Sequence, residues 1–267
     1  MAKFFAITIF VIAIVSAIPI IMHTWWLAPD ISTHGAPIDE QTSDTMWEAG
    51  ISFLASQILL AFFVWKFSGD RPGEKAKNFP GGAKTVVWAA FLLVGTEVLA
   101  LGVFGVKAWA NVYLTPPAAN AMPVQVQAGQ FAFYFRYPGP DGTFGPTHPE
   151  MISESNENFF GLDQTNDADS KDDIVTAEMA IPVNREIHLL MHSKDVGHSF
   201  FVPELRVQQD FVPGLDLSVH FTATKIGRYE IVCTQLCGLG HYNMKAYLSV
   251  MSQQDFDDWI KKQAALQ

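Results

Sequence analysis

Cys233-Thr234-Gln235-Leu236-Cys237-Gly238-Leu239-Gly240-His241-Tyr242-Asn243-Met244 is the stretch on which the reading of this chain turns. It holds both cysteines of a 267-residue sequence, four positions apart. A histidine follows Cys237 by four residues, and a methionine follows the histidine by three. Thiolate, imidazole and thioether are the soft and borderline donors that copper prefers. Gly238 and Gly240 disfavour a regular helix and favour a tight loop, in which such side chains can converge. Two thiolates at this spacing can bridge two metal ions, whereas a single blue-copper ion takes one Cys, two His and a distant Met. A disulfide between Cys233 and Cys237 is also compatible with the spacing in an oxidising compartment.

Strand patterns flank this loop. Arg228–Cys233 precedes it and Lys245–Met251 follows it. Further short strands are expected in Met122–Tyr137, with the aromatic run Phe131, Phe133, Tyr134 and Phe135, and in Ile174–Ile181, Arg185–His192 and Leu217–Thr222. Ile187, Leu189 and Met191 alternate with His188, Leu190 and His192, the period of a half-buried strand. Regularly spaced short strands predict an all-β sandwich or barrel. Gln254–Ala265 reads as a short amphipathic helix with Phe256, Trp259 and Ile260 on its apolar face. Pro138, Gly139, Pro140, Asp141 and Gly142 form a strong turn cluster. An acidic, Asn- and Ser-rich stretch follows, so residues 138–173 are expected to form a long surface insertion without structure of its own, functional or mobile.

The metal loop needs a second histidine. His198, in Asp195-Val196-Gly197-His198-Ser199-Phe200, follows a strand inside a mostly apolar segment and is the preferred one. His188, His192 and His220 fall within expected strands. His23, His34 and His148 lie in loops without partner ligands nearby in sequence.

Hydrophobic residues make up 49% of the chain and charged residues 16%, too apolar for a purely soluble protein of this length. The apolar residues concentrate before position 110. Phe4–Met22 carries no charge and is long enough to cross a bilayer. Pro19, His23, Trp25 and Trp26 follow without a small-x-small cleavage site, so a retained span is expected rather than a cleaved signal peptide. Ala49–Trp65 and Thr85–Val106 are the second and third runs, and Glu97 is the one acid inside a span, a residue that usually faces protein or water, on a proton path, at a partner subunit or hydrogen-bonded in a helix interface. The expected organisation is a membrane anchor over 1–110, with spans at about 4–22, 47–67 and 85–108, a β domain over 111–252, and a C-terminal helix over 253–267. Lys66, Arg71, Lys75, Lys77 and Lys84 lie between spans two and three, whereas the loop between spans one and two has acids and no Lys or Arg. The positive-inside rule then puts the β domain outside the cytoplasm. The net charge of -10 argues against a nucleic-acid partner and suits a basic protein partner.

C-x-x-x-C-x-x-x-H-x-x-M with an upstream D-x-x-H-S-[FW] resembles subunit II of heme-copper cytochrome c oxidases, which carries the copper A centre. The resemblance covers most of the chain: span two onward resembles the family's paired helices, and residues 122–251 its cupredoxin domain. It implies N-terminal transmembrane helices followed by a cupredoxin-like sandwich. It implies two copper ions bridged by Cys233 and Cys237, with His198 on one and His241 on the other. Met244 and the backbone carbonyl of Gln235 would be the weak ligands. Asp210, in Asp210-Phe211-Val212-Pro213-Gly214, matches a family segment near subunit I. The implied partners are subunit I, subunit III, the membrane, and cytochrome c or another electron donor. The implied location is a bacterial inner membrane with the β domain in the periplasm or outside.

Three departures accompany the resemblance. Gln235 stands where most members have a Glu that helps hold magnesium or manganese at the subunit I interface, which puts that ion in doubt. Phe131 and Phe133 stand where the family has electron-receiving tryptophans. The first span and the 138–173 insertion are additional to the short forms. The copper A subunit of a nitric oxide reductase and a membrane-anchored mononuclear cupredoxin are the competing readings.

Overall fold

A computed structural model describes residues 2–22, 27–67 and 84–266. The expectations resting on His23, Trp25 and Trp26, and on Arg71, Lys75 and Lys77, fall outside the described residues. The described residues form two units, one built of the N-terminal helices and the other of Ala28–Ala36 with Trp109–Gln267.

The helical unit has three helices long and apolar enough to cross a membrane: α1 (Ala2–Met22), α2 (Gly35–Lys66) and α3 (Lys84–Tyr113). The 21 residues of α1 rise about 32 Å, which matches a hydrocarbon core of about 30 Å. The hydroxyls of α1 are satisfied within the helix, Thr8 Oγ1 donating to Phe4 O at 3.0 Å and Ser16 Oγ to Ile12 O at 2.8 Å, and in α3 Thr96 Oγ1 donates to Leu92 O at 2.8 Å. In lipid no water would otherwise pair with them. The α2 helix begins well before its apolar stretch, because Pro37 falls in the first turn, where its missing N–H leaves nothing unpaired, and no further proline follows. A π turn over Leu101–Gly105 interrupts α3.

The second unit packs two five-stranded sheets. One has the order β3 (Ile174–Thr176), β2 (Ala132–Tyr137), β1 (Met122–Gly129), β5 (Glu186–Ser193), β8 (Leu217–Thr222). The other has the order β4 (Met179–Pro182), β10 (Lys245–Met251), β9 (Gly227–Val232), β6 (His198–Val202), β7 (Val207–Phe211). The period-two pattern holds: Ile187, Leu189 and Met191 are buried, and so are Ala246, Leu248 and Val250 on β10. Each fully buried large apolar side chain contributes about 1.5–3 kcal/mol. The strand β6, which carries His198, and its partner β7 show no clear strand pattern in the sequence. The last helix, α5 (Gln253–Ala264), starts at Ser252, whose hydroxyl accepts from Asp255 N at 3.1 Å. It lays Phe256 and Trp259 against buried Tyr137, with ring centroids 6.2 and 5.4 Å away.

One expectation is overturned. Residues 138–173 have structure of their own: a 3-10 turn at Pro149–Met151, bridges Thr147–Leu162 and Ser153–Asn158, and a five-residue helix α4 (Ala168–Asp172). The segment folds because it supplies apolar anchors and partners for buried polar groups. Phe160 and Leu162 are buried. Phe159 stacks on Tyr134 of β2 at 3.5 Å, and its carbonyl accepts from Gln127 Nε2 of β1 at 2.6 Å. Arg136 is fully buried beneath it and pairs with Asp173.

The short segment before α2 was also missed as part of this unit. Ile31 is buried, its N–H donates to Glu204 O at 2.9 Å, and its carbonyl accepts from Thr224 N at 2.6 Å.

Candidate metal centre

Strand registers bring three turns to one end of the sandwich. Parallel pairing of β1 and β5, with Ala128 opposite Ser193, makes the turns at Gln130–Phe131 and Lys194–Asp195 leave side by side. Antiparallel pairing of β9 and β10, with Val232 opposite Lys245, makes Cys233–Met244 the hairpin loop. Phe201 of β6 pairs with Val232 of β9, so His198, three residues earlier, falls opposite position 235 of that loop. No spacing in the sequence contains this last alignment.

Within the loop, Cys233 N donates to Met244 O at 3.2 Å and Met244 N to His241 O at 3.2 Å, folding His241–Asn243 into a 3-10 turn. The loop glycines serve close approach. Gly238 has φ 134°, and a side chain at Gly240 would meet the Phe131 ring at 2.5 Å. Gln130 Nε2 donates to Cys237 O at 2.6 Å, holding the cysteine's backbone from the neighbouring turn.

The soft donors converge. The Cys233 and Cys237 sulfurs lie 3.9 Å apart, as free thiols and not as a disulfide. His198 Nδ1 is 4.0 Å from Cys233 Sγ, and His241 Nδ1 is 3.6 Å from Cys237 Sγ. Met244 Sδ is 3.7 Å from Cys237 Sγ, and the Gln235 carbonyl oxygen is 3.2 Å from Cys233 Sγ. His198, Cys233 and Cys237 form the one group among the described residues in which three ligand atoms from His, Cys or carboxylates lie within 4.8 Å of one another. Cys233, Cys237, Met244 and His198 are buried; His241 is half-buried, and the Gln235 side chain is exposed.

Asp195 orients the site. His198 Nε2 donates to Asp195 Oδ1 at 2.7 Å, which leaves Nδ1 as the free lone pair facing the thiols. This carboxylate–imidazole pairing is the usual outer partner of a metal-bound histidine. Burial pushes the Asp195 carboxyl up, but His198 and the N–H groups of Gln130 and Val196 outweigh it and hold it below its ordinary range. Burial, followed by the neighbouring Cys233 thiol, pushes the Cys237 thiol up to about 11. A thiol so placed keeps its proton at neutral pH until a cation displaces it. Neither Asp195 nor Gln130 had been assigned a role from sequence. Asp195 was visible in the motif three residues before His198, whereas Gln130 had no signal.

The family model described as cytochrome c oxidase subunit II, periplasmic domain, matches residues 156–251. The alternative cytochrome c oxidase subunit 2 of Bradyrhizobium diazoefficiens is 31% identical over 260 residues, covering 97% of this chain and 91% of that protein. The chain belongs to the cytochrome c oxidase subunit II family. Cytochrome c oxidase subunit 2 of Thermostichus vulcanus is 26% identical, over 91% of this chain and 80% of that protein. The solved periplasmic domain of cytochrome oxidase subunit II from Bradyrhizobium japonicum aligns with a TM-score of 0.41 at 24% identity, covering 56% of this chain and 96% of that one.

In this subunit II the His, two Cys and Met donor set typical of copper A stands together in one buried cluster. The other histidines stand elsewhere. His192 faces Asp216 at 3.1 Å and His220 faces Glu186 at 2.8 Å, both on the sheet that does not carry the cysteines. His148 lies beside Glu150 in the insertion, and His34 is in the segment before α2. Asp210 is exposed on β7, opposite Ser199. Around the metal end, Leu236, Leu239, Tyr242, Val212 and Leu215 are exposed, with Leu239 at 96%.

Proposed function

We propose that this chain is the electron-entry subunit of a respiratory terminal oxidase, holding a dinuclear copper A centre. The observation that carries the reading is the pair of buried thiols 3.9 Å apart, with one imidazole beside each. Cys233 and Cys237 would bridge the two coppers, His198 and His241 would bind one each, and Met244 and the Gln235 carbonyl would be the weak ligands. When bound, such a centre supplies a one-electron carrier whose charge is shared between two ions. The chain's own residues keep that carrier rigid and dry: Asp195 fixes the His198 ring, Gln130 fixes the Cys237 backbone, and burial of the thiols excludes water. A mononuclear cupredoxin needs one thiolate, and Cys237 would then be a second buried thiol without a role.

The donor would be cytochrome c or a similar protein, and the acceptor heme in subunit I, where oxygen is reduced to water with proton pumping. Phe131 is 40% exposed and its ring lies against Gly238 and Gly240 of the metal loop. It therefore connects the surface to the centre where the family has a tryptophan. The three helices would anchor the chain in a bacterial inner membrane, with the β domain in the periplasm. Subunit I, and with it subunit III, would cover the apolar residues of the helices. The Gln235 amide offers no carboxylate to a magnesium ion at the subunit I interface, so weak or absent Mn binding in the intact complex is expected; a Mn site as strong as in oxidases with Glu contradicts it.

Copper analysis and electron paramagnetic resonance of the purified chain test the main reading. An electron shared equally between two copper nuclei gives a seven-line pattern and two coppers per chain. A four-line pattern with one copper would falsify the dinuclear centre.

A further inference from the structure

The segment Ala28–Ala36 belongs to the β unit and leads into α2. Hydrogen bonds strap it to the end of β8, an edge strand of its sheet. Ile31 N donates to Glu204 O at 2.9 Å, Thr33 N to Thr222 O at 3.2 Å, and Thr224 N to Ile31 O at 2.6 Å. Ser32 forms a β-bridge with Ala223. Lys225 Nζ donates to Asp30 O at 2.6 Å, and Arg206 Nη2 to Ala28 O.

Three histidines come together at this strap. His188 of β5 and His220 of β8 stand directly opposite each other in register, so their side chains are neighbours on one face of the sheet. His220 Nδ1 lies 2.8 Å from Glu186 Oε1, an approach that draws a proton to Nδ1 and leaves Nε2 bare. His34 is faced by Asp30 from the strap itself, by the Leu205 carbonyl from the turn Pro203–Leu205, and by His220 from β8. His220 in turn faces His188 and Glu186 from β5. Glu204, Arg206 and Lys225 are the other ionisable residues bonded to the strap. The Nε2 atoms of His34 and His220 are both buried and have no hydrogen-bond partner among the described residues.

A neutral imidazole fits at His34 and a cation does not. The neutral ring can leave Nε2 without a proton, whereas the cation carries an N–H on both nitrogens. At the buried Nε2 that N–H has no acceptor, and an unmet buried donor is costly. Burial pushes the His34 imidazole below its ordinary range and His220 adds to the push, against the upward pull of Asp30 and the Leu205 carbonyl. Burial and His220 push His188 down as well, against Glu186. The strapped segment therefore binds the His34 proton less tightly than a released one. Its hold is complete above the ordinary imidazole value of about 6.5 and is lost as pH falls through the lowered value.

We propose that His34 is a proton-operated latch: when its imidazole takes up a proton, Ala28–Ala36 lets go of the β8 edge and frees the lead into α2. The setting of the latch, though not its operation, rests on the proposed function. A β domain on the side to which an oxidase pumps protons would meet more acid as the gradient builds, and the strap would loosen with it. None of the latch residues is a copper ligand, so the latch does not depend on how many coppers the metal loop holds.

Hydrogen–deuterium exchange of the full-length, copper-loaded chain in detergent tests it, at about pH 7.5 and about pH 5, on either side of the histidine range, with the intrinsic rate corrected at each. Protection of the Ile31, Thr33 and Thr224 N–H groups should fall by about threefold or more at the lower pH, a local opening, while Val126 of β1 and Leu189 of β5 keep theirs. His34→Gln, neutral at both pH values, should keep the strap protected at both. Flat protection of the strap in the wild type overturns the proposal without any variant. An equal loss at Val126 and Leu189 overturns it too, because the whole domain is then opening. So does a fall in His34→Gln as large as in the wild type, which would put the proton on another group, His188 first. None of these readouts uses copper or an electron donor, so a failed latch leaves the oxidase reading standing.

Discussion

The metal loop and the 138–173 insertion both bury polar groups behind glycines, yet they resolve the electrostatics differently. The loop at Cys233–Met244 gathers thiols, a thioether and an imidazole that face one another across 3.6–3.9 Å. The insertion gathers hard, charged groups and answers most of them with Arg136, which is fully buried against Asp173. Burying a neutral thiol is inexpensive, so the first cluster can wait for its metal with the fold intact. Burying a lone carboxylate or guanidinium is not, so the second must be paired for the domain to fold. A binding site and a structural pair thus differ in what happens when one member is removed.

Cys237→Ser should have the largest effect and break the loop alone: complete loss of the mixed-valence copper signal and of donor oxidation, with the unfolding midpoint of the apo protein little changed. A marked loss of apo stability would mean that the thiols are a structural core and not a waiting site. Asp173→Ala should do the reverse. It leaves Arg136 buried and unpaired, which costs about 3–5 kcal/mol of stability measured by denaturant unfolding. If the protein loses less than about 1 kcal/mol, the ion pair is not what holds the insertion. Asp195→Asn sharpens the contrast from the loop side: copper affinity should fall by about 10- to 100-fold in a competition titration, with folding preserved, because the imidazole loses its orienting carboxylate. An unchanged affinity would remove Asp195 from the site.

The smallest effect is graded with pH. Because burial raises the Cys237 thiol to about 11, its proton competes with metal at neutral pH. Copper affinity of the apo chain should therefore rise with pH, by up to about tenfold per pH unit for each proton released. The sign for stability is opposite. The folded apo state holds this proton more tightly than the unfolded state, so the contribution is fully present below about pH 9 and is lost as pH climbs toward 11. A copper affinity flat from pH 6 to pH 8 would show that the thiols are already ionised.

Much of this was legible in the sequence because the signals are local. Three apolar runs, the alternation at Ile187–His192 and the donors between Cys233 and Met244 each lie within a few residues, and local spacing sets helix length, strand face and loop convergence. The insertion was misread as structureless because its anchors are single residues scattered through a polar stretch. Phe159, Phe160 and Asp173 gain meaning only from Tyr134, Gln127 and Arg136 on other strands. Ile31 and its neighbours carry no local signal for the same reason, since their partners at Glu204 and Thr224 lie far away in the chain, Thr224 by 193 residues.

The sequence alone determined that this chain has helices fit for a membrane, a β domain and a soft-metal loop, because hydrophobic period and donor chemistry are written residue by residue. The tertiary structure alone decided how β6 and β9 align to bring the expected His198 to the cysteines, that Gln130 and Asp195 hold the site in place, and that a buried salt pair closes the insertion. Those outcomes depend on strand pairing between distant segments: the β1–β5 register sets the Gln130 and Asp195 turns side by side, and a one-residue slip of β6 against β9 would turn His198 to the other face.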